Sequence, residues 1–203
     1  MKKILAAFVG SMALASAPLA LAADATKELK MAYDADPVTL DIHEQLSGGI
    51  LQLSHMTFDP LLRWTKDLGF EPRLAESWER VDDKTMRFKL REGVKFHSGN
   101  ELTTADVKFT FERLKESQDF KAIFKPFSAI NVIDDYTFEL VTSEPYPLLL
   151  NTATYIFPLD SEFYSGQTED GKDKDAILKH GNSFASENLS GTGPYTVTER
   201  KQG

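Results

Sequence analysis

Residues 74–114 read LAESWERVDDKTMRFKLREGVKFHSGNELTTADVKFTFERL, and this stretch decides the fold. From Thr85 to Arg91 the chain alternates strictly. Met86, Phe88 and Leu90 share one face and Arg87, Lys89 and Arg91 the other, the period of a half-buried strand. Asp82-Asp83-Lys84 before it and Glu92-Gly93 after it are turn chemistry; Val94-Lys95-Phe96 resumes the alternation until His97-Ser98-Gly99-Asn100 turns the chain again. Thr103-Thr104-Ala105-Asp106 then has the form of a capping box, and Val107, Phe111 and Leu114 follow at helical spacing. The stretch therefore predicts hairpins feeding a capped amphipathic helix, an α+β arrangement.

The order of these residues resembles the signature region of the family 5 solute-binding proteins, the peptide- and nickel-binding receptors of bacterial ABC importers. Three further pieces agree in sequence order. Asp36-Pro37-Val38-Thr39-Leu40-Asp41 resembles the family's DP.tLDP start, with Ile42 where proline is usual. Phe58-Asp59-Pro60-Leu61-Leu62 resembles its yeGLv step, and Gly191-Thr192-Gly193-Pro194-Tyr195 its GTGPY turn. The resemblance implies a mixed α/β, periplasmic-binding-protein-like class II fold of two lobes with a β-rich second subdomain. It also implies capture of a small solute, most often a di- or oligopeptide, in the cleft between lobes and its delivery to a membrane permease.

Met1-Lys2-Lys3, an Ala-rich apolar run and Ala20-Leu21-Ala22 have the form of a secretory signal peptide over residues 1–22. Gly10, Ser11, Ser16 and Pro18 interrupt the run, which disfavours a membrane span. The expected location is the periplasm, with the mature protein not embedded in the membrane. The chain has no cysteine, so disulfides, thiolate metal sites and a lipid-bearing cysteine are excluded. Taking Lys2 and Lys3 from 23 basic residues leaves 21 against 31 acidic ones, a net charge of −10. With no basic cluster above that background, nucleic acid is disfavoured as a partner.

Leu29 to Tyr33 alternates as a first strand. After Ser47-Gly48-Gly49, Ile50, Leu51, Leu53 and Met56 predict a short helix that stops before Pro60. Exposed amides at a helix start attract carboxylates, and paired glycines let a ligand approach the backbone. In the family the segment after the first strand lies at the cleft, so the resemblance makes Glu44, Gln45, Ser47, Gly48 and Gly49 the candidate ligand-binding residues. The plainer alternative is that Ser47 is only an N-cap and the glycines only a turn.

Leu61 to Trp64 reads as a strand, Asp67-Leu68-Gly69 as a turn, and Pro72 as the end of regular pairing ahead of the signature. Ile130 to Ile133 and Tyr136 to Leu140 around Asp134-Asp135 form a further hairpin, and Leu148-Leu149-Leu150 a short buried helix. Tyr155, Phe157, Phe163 and Tyr164 read as core in preference to cleft lining. Gly166, Gly171 and Lys172 mimic a phosphate loop. However, Asp173 stands in the Ser/Thr position and Glu169 and Asp170 would repel phosphate, so nucleotide binding is rejected. Asn188-Leu189-Ser190 matches a glycosylation sequon, which carries little weight in a bacterial-type secretory protein. No G-x-S-x-G or H-E-x-x-H motif is present, and His43, His55, His97 and His180 lie far apart.

The predicted organisation is a signal peptide at 1–22, the first part of lobe I at 23–60, a β-rich inserted subdomain at 61–158 and a return into lobe I at 159–203. The expected partners are a peptide or other small ligand and ABC permease subunits; the receptor is expected to be a monomer with no cofactor, no metal and no catalytic residue. Because family members continue for several hundred residues past the GTGPY turn, the chain is expected to be an amino-terminal portion. Two other classes fit less of the sequence: a secreted hydrolase, and a ligand-binding lobe serving a chemosensory partner.

Overall fold

The computed structural model describes residues 39–200; the expected signal peptide, the strand at Leu29 to Tyr33 and residues 36–38 of the first motif lie outside them. The centre of the fold is a four-stranded antiparallel sheet in the order β3-β4-β6-β5, made of Ala75–Arg80, Thr85–Leu90, Phe127–Val132 and Thr137–Thr142 numbered β3 to β6 along the chain. Alternation does what the sequence predicts: Met86, Phe88 and Leu90 are buried with Phe138 and Leu140 opposite them, and the Phe88 and Phe138 rings stack at 5.2 Å across the β4–β6 pair. On the wet face Arg87 stands between Glu79 of β3 and Glu139 of β6, its direct cross-strand neighbours, and bonds both.

The capped helix is α2, Thr104–Glu116. Thr103 accepts from the Ala105 amide, and the Asp106 carboxylate reaches back to the Thr103 amide at 2.8 Å, so the predicted capping box is present. Val107, Phe111 and Leu114 are buried; Phe111 meets Phe124, on the short helix α3 (Lys121–Phe124), and Phe127 edge-on. Helix and sheet thereby close a hydrophobic cluster whose fully buried members run from Leu61 to Ile156. A second cluster joins Ile42, Ile50, Phe58, Phe157, Leu159, Tyr164 and Ala185, drawing on chain before and after the first.

The predicted helix after Ser47 is α1, Gly48–Thr57, and the strand at Leu61 is β1, Leu62–Trp64. One strand was missed and two readings need correction. Phe70–Pro72 is itself a strand, β2, paired with β1, because the Asp67-Leu68-Gly69 turn folds it back before Pro72 ends the ladder. Val94 to Phe96 keeps only one bridge, Lys95 to Glu101, since the chain reverses again at His97 before a ladder can grow. The helix at Leu148 to Leu150 begins one residue later, as α4, Leu149–Ala153, and Leu148 is 53% exposed. Phe157 and Tyr164 are core, as read; Tyr164 closes the one-turn helix α5, Ser161–Tyr164.

Candidate functional site

At the amino end of α1, Ser47 caps the helix by accepting from the Ile50 amide, so the N-cap reading of Ser47 is correct in itself. Gly48 and Gly49 are exposed, and a methyl group built on either would meet nothing within 4 Å. The first turn of α1 holds no acidic side chain of its own. Gln45 is half-buried beside this end. Glu44 is buried, its carboxylate accepting from the Gly181 amide at 3.3 Å. The structure adds two charges that sequence reading missed. Asp119 accepts from the Leu46 amide at 3.0 Å and pairs with Lys179, whose ammonium also approaches the Glu44 carbonyl. The Leu46 amide and Lys179 hold the Asp119 carboxyl below the ordinary carboxylate range against a smaller effect of burial. The result is a patch with two exposed glycines, an acid and an ammonium.

Behind this patch lies a buried charge node. Arg113, on α2, donates two bonds to Asp41 at 2.8 and 2.6 Å, and both side chains are almost wholly buried. The His43 amide and Ser183 hydroxyl also donate to that carboxylate, and Arg113 Nε donates to the Asp175 carbonyl. Burial raises the Asp41 carboxyl, but the Arg113 fork outweighs it and the net shift is downward. His43 packs edge-on to Phe120 at 6.1 Å with neither ring nitrogen bonded among the described residues. Its burial and the Arg113 charge lower its pKa to about 3.

A third feature explains His97 and the GTGPY turn together. The Gly191 amide donates to His97 Nδ1 at 3.2 Å, so the neutral ring carries its hydrogen on Nε2 and donates to the Gly193 carbonyl at 2.8 Å. The turn lies against the last turn of α1, with the Gly193 and Tyr195 amides bonded to the Thr57 and Met56 carbonyls. A methyl on Gly191 would stand 2.0 Å from the Thr57 carbonyl oxygen and 2.7 Å from Phe58 Cδ1. Gly191→Ala is therefore expected to lower stability by about 2–3 kcal/mol in denaturant unfolding. An unchanged midpoint would mean that the turn does not seat there. Asp160 ties the same corner, accepting from Ser98, Asn100 and Ser190.

A groove of about 510 Å³ runs along the carboxyl half of α1, past Leu51 and His55 to Asp59, and contains none of the sequence-read site residues. Among the described residues no three His, Asp or Glu side chains converge as a metal site requires, and no helix is long and apolar enough to cross a membrane.

Comparison with solved proteins places this architecture among binding-protein folds. The structure of the oligopeptide-binding protein AppA from Bacillus subtilis in complex with a nonapeptide superposes with a TM-score of 0.71 at 24% identity, covering 83% of this chain and 33% of that one. In sequence, the di/tripeptide-binding protein 1 of Pseudomonas aeruginosa (strain UCBPP-PA14) is 31% identical over 150 residues, 63% of this chain and 26% of the relative. The dipeptide-binding protein of Escherichia coli (strain K12) is 31% identical over 151 residues, with the same shares. The profile of the bacterial extracellular solute-binding proteins, family 5, middle portion, matches residues 69–203. The chain belongs to that family. It spans between about a quarter and a third of the length of these relatives.

Proposed function

We propose that this chain supplies one wall of the ligand cleft of a periplasmic receptor for an ABC importer, and that the ligand is a small peptide. The observation that carries the reading is the open amino end of α1, where exposed Gly48 and Gly49 stand beside Gln45, Asp119 and Lys179. A peptide presents a carboxylate suited to the helix amides and the Lys179 ammonium, and an α-ammonium suited to Asp119. Glu44 and Ser47 shape the wall from behind, Glu44 by fixing the 181 loop and Ser47 by capping the helix.

Residues 1–22 export the chain in this reading, 23–60 and 159–203 build lobe I, and 61–158 form the β-rich subdomain. The two hydrophobic clusters support that division, since one lies within 61–156 and the other draws on 42–58 and 157–185. Closure of a second lobe over the wall buries the ligand and shifts an open–closed population that the permease senses. The receptor works as a monomer, without cofactor and without catalysis.

The test is a titration of the ¹⁵N-labelled chain with dialanine, trialanine and alanyl-glutamate, followed by NMR. One wall alone binds weakly, so shifts saturating only at millimolar peptide are expected, centred on residues 44–49, 119 and 179–181. A folded chain showing no shifts there with any of the three would overturn the reading.

A further inference from the structure

We propose that the groove beside the carboxyl half of α1 is a separate binding site, for a small carboxylate carrying an aromatic or other flat apolar group. It stands on geometry independent of the cleft reading, because it lies toward the opposite end of α1 from Gly48 and Gly49.

Its volume of about 510 Å³ falls in the range of small-molecule sites, roughly 300–1,000 Å³, and its walls combine aromatic surface with a few polar groups, as such sites do. One wall is the β1–β2 hairpin. Trp64 is 40% exposed there, and Phe70 packs behind its indole at 4.6 Å, so the open ring face is held in a fixed orientation. The facing wall carries Tyr155 and Phe157, with His55 edge-on to Phe157 at 5.0 Å. These rings give the groove its aromatic surface.

The charges determine which polar group enters. Arg63 and Arg73 both line the groove, and Glu71 lies between them. Arg63 spends its Nε on Glu71 at 2.7 Å. Arg73 does not: its nearest acceptor is Glu71 at 3.5 Å, too long for a good hydrogen bond, and it has no other protein acceptor among the described residues. Its fork of N–H donors is therefore available, in the geometry that takes a carboxylate bidentately. Its backbone is held in place meanwhile, since the Arg73 carbonyl accepts from Arg91 Nε at 2.7 Å. Asp59, the acid on the groove wall, accepts from the Thr192 hydroxyl at 3.4 Å, while its amide donates to Thr192 Oγ1 at 3.0 Å. His55 stands among the same charges. After burial, the two arginines depress its pKa, and they outweigh the opposing pull of Asp59. An anion is favoured in this groove and a second cation is not.

The probes are hippurate, a benzoyl-glycine carboxylate, and its uncharged amide, added to the 203-residue chain and followed by tryptophan fluorescence and ¹H–¹⁵N NMR. Saturable hippurate binding is expected, with shifts at the Trp64 indole and at the amides of His55 and Tyr155, and with the amide at least about tenfold weaker. Arg73→Gln should abolish that discrimination. Arg73→Lys, which keeps the charge but not the fork and is the gentler change to the fold, should lose part of it. Equal binding of acid and amide overturns the proposal. So do unchanged discrimination in Arg73→Lys, shifts centred on Gly48 and Gly49 instead, and the absence of saturable binding.

Discussion

Asp41→Ala is expected to cost about 3–5 kcal/mol in urea unfolding at pH 7, because it strands the Arg113 guanidinium in a site from which water is excluded. That is a large share of the roughly 5–15 kcal/mol that holds a typical domain together. Two bonds to Arg113, one from the His43 amide and one from the Ser183 hydroxyl fill the carboxylate's acceptor sites, so no surviving group can move in to replace it. Arg113→Leu should do comparable damage from the other side. Asp41→Leu combined with Arg113→Met should recover part of the loss by removing both charges, though not all, since Ser183 and the Asp175 carbonyl lose their partners. A loss below about 1 kcal/mol for Asp41→Ala, the range of exposed pairs, would show that the node is solvated.

Stability should also fall as the pH drops from 8 toward 4, and His43 is the expected cause. Its folded pKa is about 3 against an ordinary value of 6.5, so between those values the unfolded chain binds a proton that the folded one refuses. The stability it contributes is complete above pH 6.5 and is lost as the pH falls toward 3. By linkage the loss at pH 5 relative to pH 8 is about 2 kcal/mol. The Asp41 carboxyl, lowered from 3.8, acts only below about pH 4, which leaves the window above that to histidine. His55 is shifted in the same direction but is exposed. His43→Phe, which keeps an edge-on ring against Phe120, should flatten the slope between pH 8 and 5; a slope equal to that of the parent chain would remove His43 from the account.

Local pattern made much of the architecture legible. Met86, Phe88 and Leu90 announced β4 by alternation, Thr103 and Asp106 announced α2 by its cap, and Ser47 with the apolar run after it announced α1. Strand β2 was missed because Phe70–Pro72 is too short to show a period. The charged residues around α1 were not legible for a different reason. Arg113 looks like an ordinary surface cation on a helix, and only folding brings Asp41, 72 positions away, and Ser183, 142 from Asp41, against it. Asp119 and Lys179 at the candidate wall are 60 apart and share no pattern with Gly48. The sequence places His97 in a turn, but its partner, the Gly191–Gly193 backbone, carries no side-chain signal that could have named it.

The corner tied by His97, Asp160 and the Asp41 node has a bearing on biosynthesis. Several of its bonds join residues far apart in the chain, Asn100–Asp160 by 60 positions and Thr39–Ser186 by 147. A nascent chain emerging from the ribosome cannot complete them until the segment around Ser183 to Gly193 has been translated. Until then Asp41 and Arg113 lack part of their shell and the end of α1 has no lid, so this corner is among the last parts of the described fold to close.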